Sequence, residues 1–509
     1  MTLFRSNLLA NFAGAGCVSL VGLACTPIYI KWMGIEAYGL VGFSIMLTGV
    51  TGILDFGLSP TMSREMARYS VLPEKAGEAR DFVRTLEICY WAIGLLLGIV
   101  FFLGAPYIST HWINTGDLPL RDVRSSVVFM GVLIALQRPL SLYQGGLMGL
   151  QRQVLLNKIT IATSVLGNIG ALLALWFVAP TIRVFFIWQI IVSLSQVSLS
   201  AIALWHYLPP SDGPARITPG LLRNVWRFAA GMSGITITAL VLMQLDKVIL
   251  SRLLPLKTFG YYILACAVGN GLTGLIITPL FNTIFPRFSF LVATRDLKGL
   301  SQLYHGTTQV MAVLILPAAS VIALFSREIM LLWTGNPEIA NQTAPIVSVL
   351  VVGTALNGLM NPPYALQLSH GWTRIGLAIN TFFIFTMVPA IYYAINWYGP
   401  IGAAFVWVLL NGIYMAFGVP FTHRRLLKGE ASRWFTRDVG FPLLGALLVP
   451  GLGRLLLNRP LHAIPSAAVM GVLLLISMTM AALTSSAIRE WISGFRTPAS
   501  STDDNRPHR

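Results

Sequence analysis

The sequence predicts an all-α polytopic membrane protein with about 14 transmembrane helices: two parallel six-helix repeats and two extra C-terminal helices. Composition, the length of the apolar runs and an internal repeat lead to this prediction. Of the 509 residues, 55% are hydrophobic and only 11% are charged. A soluble domain carries about 25% charged residues, so this chain has too few charges for a water-facing surface.

The apolar runs have the length of membrane spans. A helix needs about 20 apolar residues to cross the hydrocarbon core of a bilayer. Runs of that length recur along the whole sequence, separated by short polar segments. The predicted spans are 7–30, 38–60, 86–107, 123–148, 155–179, 183–207, 227–250, 259–285, 304–325, 343–368, 374–396, 400–422, 438–457 and 461–485. Their even number places both termini on the same side of the membrane.

The two halves of the sequence repeat each other at an offset of roughly 220 residues. Gly39 recurs as Gly260, and Trp112, which precedes a short polar loop, recurs as Trp333. Six spans in each half give both halves the same orientation, an arrangement that encloses a path between them in many transporters. The predicted divisions are an N-terminal lobe (1–215), a C-terminal lobe (216–430), helices 13 and 14 (431–485) and a disordered cytoplasmic tail (486–509).

Lysine and arginine residues are distributed unevenly between the two sides of the membrane. With the N-terminus inside, 24 of them lie in the inner segments and nine in the outer segments. This bias predicts that both termini are cytoplasmic. The net charge of +16 therefore requires no nucleic acid as a partner, because topology signals and anionic lipid headgroups account for it.

Motifs of soluble enzymes and of cofactor sites are missing from the sequence. There is no glycine-rich phosphate loop ending in Lys-Ser or Lys-Thr, no zinc-binding His-Glu-x-x-His and no paired-cysteine set. The longest outer loops, 108–122 and 326–342, are too short for a catalytic domain. We therefore expect no enzyme activity, no cofactor and no metal; an enzyme acting on lipid-linked substrates is the alternative.

Two cations lie within predicted spans, where a charge is costly and usually faces a cavity or a partner. Arg138 precedes Pro139, which removes a backbone hydrogen bond and can bend the helix toward a lumen. Lys247 follows Asp246 in the seventh span. These side chains are candidate substrate contacts and coupling groups. The alternative for Asp246 and Lys247 is that they only neutralise charges on other helices or reach the membrane interface, and the alternative for Arg138 is a structural role.

Three further polar residues, Asp55, Asn7 and Asn11, are candidates for function. Asp55 lies near the inner end of the second span, and either takes part in gating or ion coupling or forms an ion pair with Arg64 or Arg68. Asn11, four residues after Asn7, places an amide on the same face of the first span. That face either lines the cavity or hydrogen-bonds to another helix.

Several segments together resemble the bacterial polysaccharide transporters, which include the Wzx-type O-antigen flippases of the MOP superfamily. The resemblance covers nearly the whole chain and includes its division into six, six and two spans. It rests on the order and spacing of Pro27–Ile30, Met33–Leu40, Asp55–Leu58, Gly149–Arg152, Leu245–Leu250, Phe259–Tyr262 and Asn361–Tyr364.

The resemblance implies a MOP-like fold and a flippase that moves undecaprenyl-pyrophosphate-linked oligosaccharide across the bacterial inner membrane by alternating access. A polysaccharide polymerase is a candidate partner beside the lipid-linked oligosaccharide and the membrane lipids. The anionic pyrophosphate would need cations, which favours Arg138 and Lys247 as substrate contacts. Asn11 is the third candidate substrate contact. Asp55, Asp246 and Arg64 are then the candidates for gating or coupling. Alanine at Arg138 or Lys247 should abolish glycan export and leave protein abundance unchanged.

Other transporter classes are alternatives to this interpretation. Cation-coupled multidrug exporters of the same superfamily normally have twelve spans and rely on intramembrane acids, which are scarce here. A lipid II flippase would share all fourteen spans. Membrane glycosyltransferases or polymerases should have large outer loops, which this chain lacks. Major-facilitator carriers need a basic Asp-Arg-x-Gly-Arg-Arg-like loop after the second span, and Ser63–Arg68 does not supply it.

Overall fold

The computed structural model describes the backbone at 2–211, 213–456 and 463–485. Within these ranges, the side chains are described except at 2–15, 73, 219, 221–233, 235–236, 373–375 and 463–466. The predicted tail at 486–509 lies outside the described residues. The described backbone forms helices joined by short turns and contains no strand.

The α-helices follow one another along the chain with short connections, of which 108–119 and 208–218 are the longest. They are α1 Thr2–Met33, α2 Ile35–Thr51, α3 Leu58–Tyr69, α4 Ala76–Tyr107, α5 Leu120–Gly149, α6 Gln153–Phe177, α7 Ile182–Tyr207, α8 Pro219–Leu253, α9 Leu256–Leu272, α10 Thr278–Ala293, α11 Leu297–Leu324, α12 Ser326–Thr334, α13 Pro337–Ser369, α14 Thr373–Tyr398, α15 Pro400–Ile413, α16 Val419–Leu426, α17 Ala431–Arg433, α18 Phe441–Leu456 and α19 Ala463–Thr484.

The helices confirm the predicted all-α membrane fold. Among the described residues, 13 helical segments are long and apolar enough to cross a membrane. Each overlaps one of the predicted spans. The remaining predicted span, 227–250, falls on α8 and is not among the 13. The chain is therefore a multi-pass membrane protein.

The predicted second span, 38–60, is interrupted in the structure. Helix α2 ends at Thr51, and a 3-10 turn occupies Gly52–Asp55. Phe56 and Gly57 then adopt left-handed conformations, with φ of 48° and 71°, before α3 begins. A left-handed residue cannot continue a right-handed helix. The break therefore leaves the last carbonyl groups of α2 without partners inside their own helix.

The described residues form two compact units. The first contains Met1–Leu275, Trp333–Leu350 and Trp372–Leu410, and the second contains Ile276–Leu332, Val351–Gly371 and Asn411–Arg509. In the first unit, α5 packs against α4 and α7, α6 packs against α1 and α7, and α2 packs against α9. In the second unit, α11 packs against α18 and α19. The lobe boundaries expected from the repeat stay a prediction.

Two glycines related by the repeat make reciprocal contacts where α2 packs against α9. A Cβ atom on Gly39 would lie 2.8 Å from the carbonyl oxygen of Leu256. A Cβ atom on Gly260 would in turn collide with the carbonyl oxygen of Ile35. Each repeat thus contributes one glycine and one carbonyl group to the contact. Only glycine allows two helix backbones to approach this closely.

Small residues also determine the packing of α5. A Cβ atom on Gly94 of α4 would lie 2.5 Å from the carbonyl oxygen of Ala135. On the other side of α5, a Cβ atom on Gly145 would lie 2.6 Å from the carbonyl oxygen of Ser59 in α3. The buried core beside these contacts contains Met62, Phe82, Tyr90, Leu142, Tyr143, Leu147 and Leu204.

Candidate functional site

A cavity of about 720 Å³ lies within the first unit, among α1, α2, α5, α6, α7 and α9. Its volume is in the range of about 300–1,000 Å³ that is typical of small-molecule sites. The described residues that line it include many hydroxyl and amide side chains and none with a formal charge. The cavity can therefore hold a polar, uncharged group.

Five amide side chains line this cavity: Gln137, Asn168, Gln189, Gln196 and Asn270. Two of them are bonded to the backbone, since Asn168 Nδ2 donates to Ser164 O at 2.9 Å and Gln189 Nε2 donates to Gly167 O at 3.3 Å. The other three have no hydrogen-bond partner among the described residues. An amide offers both a donor and an acceptor, so these three can bind ligand hydroxyl groups in either direction.

Aromatic side chains form another part of the cavity lining. The ring of Tyr29 meets the ring of Phe185 edge-on at 5.2 Å, and Phe185 meets Phe186 in the same way at 5.7 Å. The hydroxyl group of Tyr29 donates to the backbone carbonyl of Asn168 at 2.7 Å, which fixes the ring. These rings give the cavity a rigid apolar surface beside its amides.

Arg138 lies outside this lining, although it follows Gln137 directly in α5. The residue is only 5% exposed, and its Nη1 atom donates a 2.9 Å hydrogen bond to the carbonyl oxygen of Thr51. The guanidinium group is therefore held at the C-terminal end of α2. A cation there donates to a carbonyl group at the helix end and compensates the negative end of the helix dipole.

Asp55 lies in the turn that follows α2. Its Oδ1 atom accepts a hydrogen bond from the hydroxyl group of Tyr90 at 2.5 Å, and its Oδ2 atom accepts one from the amide of Ser59 at 3.2 Å. Arg138 is close enough to attract it electrostatically. The expected ion pair with Arg64 or Arg68 is replaced by these contacts, and both arginines instead pair with the buried Glu65, at 3.9 and 3.8 Å.

Lys247 and Asp246 pair with each other on α8, with 3.1 Å between Nζ and Oδ1. Both side chains are less than one fifth exposed. The hydroxyl group of Tyr262 donates to Asp246 at 2.7 Å, and Lys247 also donates to the carbonyl of Met243 at 2.9 Å. The lysine charge is therefore neutralised locally. The alternative from the sequence had these residues neutralise charges on other helices, whereas here they neutralise each other on the same helix.

The structure does not gather the predicted site residues around the cavity. Arg138, Lys247, Asp55, Asp246 and Arg64 are absent from the described lining. The side chain of Asn11, on α1, lies outside the described residues. The sequence interpretation missed the uncharged lining amides. Amides inside apolar spans were the available signal, and Gln137, directly before Arg138, is one of them.

A separate polar cluster lies inside the second unit. His305 of α11 contacts Asp438 through Nδ1, and Gln309 Nε2 donates to Asp438 at 2.7 Å. Ser485 donates to Gln309 at 2.7 Å, while Glu430 lies 3.4 Å from His305 Nε2. Asp438 is fully buried. Within the part of the chain that the structure describes, no group of His, Cys, Asp and Glu side chains could hold a metal ion.

A family of sequences described as polysaccharide biosynthesis proteins matches residues 4–292 of this chain. A curated protein of Shigella flexneri, named "Putative O-antigen transporter", is 20% identical over 413 residues. The alignment covers 80% of this chain and 96% of that protein. The match therefore extends well beyond the region that the family defines.

Solved structures share the fold at low sequence identity. The lipid II flippase MurJ in an inward closed conformation has a TM-score of 0.73 at 14% identity, over 97% of this chain and 100% of that one. An inward-facing multidrug resistance MATE transporter of the MOP superfamily has a TM-score of 0.65 at 14% identity, over 82% and 96%. A MOP superfamily transporter from Pyrococcus furiosus has a TM-score of 0.53 at 16% identity, over 84% and 96%.

The family match covers more than half of the chain, and its helices adopt the fold of MOP superfamily transporters. The relative and the structural neighbours described above carry the names of transporters and flippases, not of enzymes. The chain belongs to the polysaccharide biosynthesis protein family and has the transporter fold of the MOP superfamily.

Proposed function

We propose that the protein is a flippase for undecaprenyl-pyrophosphate-linked oligosaccharide. It moves this substrate across the bacterial inner membrane by alternating access, for the assembly of surface polysaccharide such as O-antigen or exopolysaccharide. Family membership and the O-antigen transporter relative support the substrate class. The observation that carries the proposal is the cavity of about 720 Å³, whose described lining consists of amide, hydroxyl, aromatic and aliphatic side chains and carries no formal charge.

The chemistry of the cavity suits a carbohydrate. A sugar ring presents hydroxyl groups around its edge and C–H groups on its faces. Gln137, Gln196 and Asn270 can pair with the hydroxyl groups, because each amide both donates and accepts. The rings of Tyr29 and Phe185 offer a flat surface for the C–H groups.

Orientation and partners are part of the proposal. The uneven distribution of lysine and arginine favours cytoplasmic termini, so that the cytoplasmic face would receive the lipid-linked oligosaccharide. A polysaccharide polymerase on the outer side of the membrane is the proposed consumer of the product. Anionic lipid headgroups would contact the cytoplasmic basic segments.

We retain Arg138, Lys247 and Asn11 as proposed substrate contacts, and Asp55, Asp246 and Arg64 as proposed gating or coupling groups. The contacts of the two cations set a condition on this assignment. The pyrophosphate would have to displace the carbonyl of Thr51 from Arg138, or Asp246 from Lys247. A structural change during transport would have to release these cations.

Lipid II is the alternative substrate. The lipid II flippase shares the fold over 97% of this chain, whereas the multidrug transporter shares it over 82%. The two additional C-terminal spans, 438–457 and 461–485, also set the chain apart from a twelve-span exporter. Multidrug export is therefore the weaker alternative.

Reconstitution of the full chain into proteoliposomes tests the proposal directly. Fluorescent undecaprenyl-pyrophosphate oligosaccharide, lipid II and a cationic drug are supplied separately, and a membrane-impermeant quencher reports the fraction that has crossed. We expect movement of the oligosaccharide to exceed that in protein-free liposomes. Movement of lipid II alone, or of the drug alone, would contradict the proposal.

A further inference from the structure

The chemistry of the cavity lining indicates which kind of sugar the protein accepts, and the proposed function does not specify this. Hydroxyl, amide, aromatic and aliphatic groups make up the described lining, and no lysine, arginine, aspartate or glutamate is among them. The described lining thus carries no formal charge, although the chain as a whole has a net charge of +16. A carboxylate on the ligand would meet no positively charged side chain among the described lining residues.

We propose that this cavity is selective for uncharged sugar units and disfavours glycans that carry carboxylates. The inference rests on the proposed function, since it concerns the glycan of the lipid-linked substrate. Gln137, Gln196 and Asn270 are the proposed specificity-determining residues. They lie on α5, α7 and α9, so they approach the cavity from three different helices.

Three of the five lining amides are available to a ligand. Asn168 and Gln189 already donate to backbone carbonyl groups of α6, and these hydrogen bonds fix the two side chains. Gln137, Gln196 and Asn270 make no hydrogen bond with any described residue, so their full capacity remains for sugar hydroxyl groups. A site built to bond hydroxyl groups discriminates strongly, because a ligand without them leaves its polar groups unpaired.

The cost of burying a charge provides the selectivity. A carboxylate that leaves water needs a cation or several hydrogen-bond donors to offset its desolvation. Arg138 cannot supply this charge in the observed geometry, because its guanidinium group is buried against the carbonyl of Thr51. Lys247 is paired with Asp246. A uronic acid would therefore meet no compensating cation among the described lining residues, whereas a neutral hexose needs none.

Two substrates that differ at one carbon atom test the selectivity of the unaltered protein. One is an undecaprenyl-pyrophosphate tetrasaccharide of neutral hexoses, and the other has glucuronic acid in place of one glucose. We expect the full chain in proteoliposomes to move the neutral substrate at least about tenfold faster, a factor that corresponds to about 1.4 kcal/mol. Equal rates, or faster movement of the acidic substrate, would overturn the inference and leave the proposed function intact. Movement of neither would overturn the proposed function.

Variants of the lining amides locate the selectivity in the cavity. Gln137→Met and Gln196→Met keep the length of the side chain and remove its hydrogen bonds, so each should lower transport of the neutral substrate about tenfold. Gln302→Met, at an exposed position on α11, is the matched control and should change nothing. Gln196→Arg should raise the acidic-to-neutral rate ratio. An unchanged rate ratio in Gln196→Arg, together with wild-type rates in both methionine variants, would show that the cavity does not determine which substrate is moved.

Discussion

The guanidinium group of Arg138 donates a 2.9 Å hydrogen bond to the carbonyl oxygen of Thr51, the last residue of α2. This contact joins α5 to the break in the second span. It also brings a buried positive charge close to Asp55, which Tyr90 and Ser59 hold in place. The residue that the sequence suggested as an anion contact therefore also stabilises the local fold.

Replacing Arg138 with methionine should lower the stability of the folded protein. The substitution removes the hydrogen bond to the carbonyl of Thr51 and the positive charge near Asp55. A hydrogen bond from a charged group contributes about 1.5–3 kcal/mol, so the midpoint of thermal unfolding in detergent should fall clearly. Arg138→Lys keeps the positive charge, so it should lower the midpoint less.

The control for this substitution lies on the same helix. Arg124→Met changes an exposed arginine near the beginning of α5 and should leave the midpoint unchanged. Equal midpoints for Arg138→Met and the unaltered protein would show that the capping bond contributes nothing. Export by any Arg138 variant has to be expressed per folded molecule, because abundance and transport can both change.

Asp246 and Lys247 should show strong thermodynamic coupling. Asp246→Asn leaves Lys247 without its counter-charge, and Lys247→Met leaves Asp246 with only the hydroxyl group of Tyr262. The double variant removes both charges and should be more stable than the sum of the single effects implies, by about 1–2 kcal/mol. Thermal unfolding of the four proteins provides this coupling energy.

The same double variant separates structure from transport. If Lys247 contacts the pyrophosphate, transport should stay low although stability has returned. Wild-type transport by the double variant would exclude that contact. Additive effects of the single substitutions on the unfolding midpoint would show that the 3.1 Å pair does not stabilise the protein.

The membrane spans could be predicted from the sequence because bilayer thickness imposes a length and a composition on every helix. The break after Thr51 could not, because the left-handed φ of Phe56 depends on its surroundings and a phenylalanine gives no signal for it. The close approach of α4 to α5 was predictable, since the spacing of Gly94 and Gly98 is typical of closely packed helices. Only Gly94 meets backbone atoms there.

The candidate site was harder to predict, for a physical reason. A charged side chain within the membrane has a high free energy, so it indicates a partner. That partner can be a group of the protein itself as well as the substrate. Arg138 and Lys247 both have protein partners. Gln137, Gln196 and Asn270 come together only through the packing of three helices, so no spacing in the sequence marks them.

Asp438 should be essential for the stability of the second unit. Asp438→Asn replaces the buried carboxylate with an uncharged amide, which weakens the contacts with His305 and Gln309. Hydrogen bonds to a charged group contribute about 1.5–3 kcal/mol, so the unfolding midpoint of the full chain should fall. Glu430→Gln should have a smaller effect, because Glu430 is 30% exposed and lies 3.4 Å from His305. An equal fall in both variants would contradict this ranking.

Gly94→Ala and Gly98→Ala should shift stability in opposite directions, although the two glycines lie one turn apart on α4. Alanine favours a helix over glycine by about 1 kcal/mol, so both substitutions gain the same local term. At Gly98 the new Cβ atom would lie 3.6 Å from the Cβ atom of Ala135, which is an ordinary contact. At Gly94 it would lie 2.5 Å from the carbonyl oxygen of Ala135, so α4 and α5 would have to move apart, at a cost of about 1–3 kcal/mol. Thermal unfolding in detergent should therefore show a higher midpoint for Gly98→Ala and a lower one for Gly94→Ala, and a higher midpoint for both would mean that α4 can shift without loss of packing.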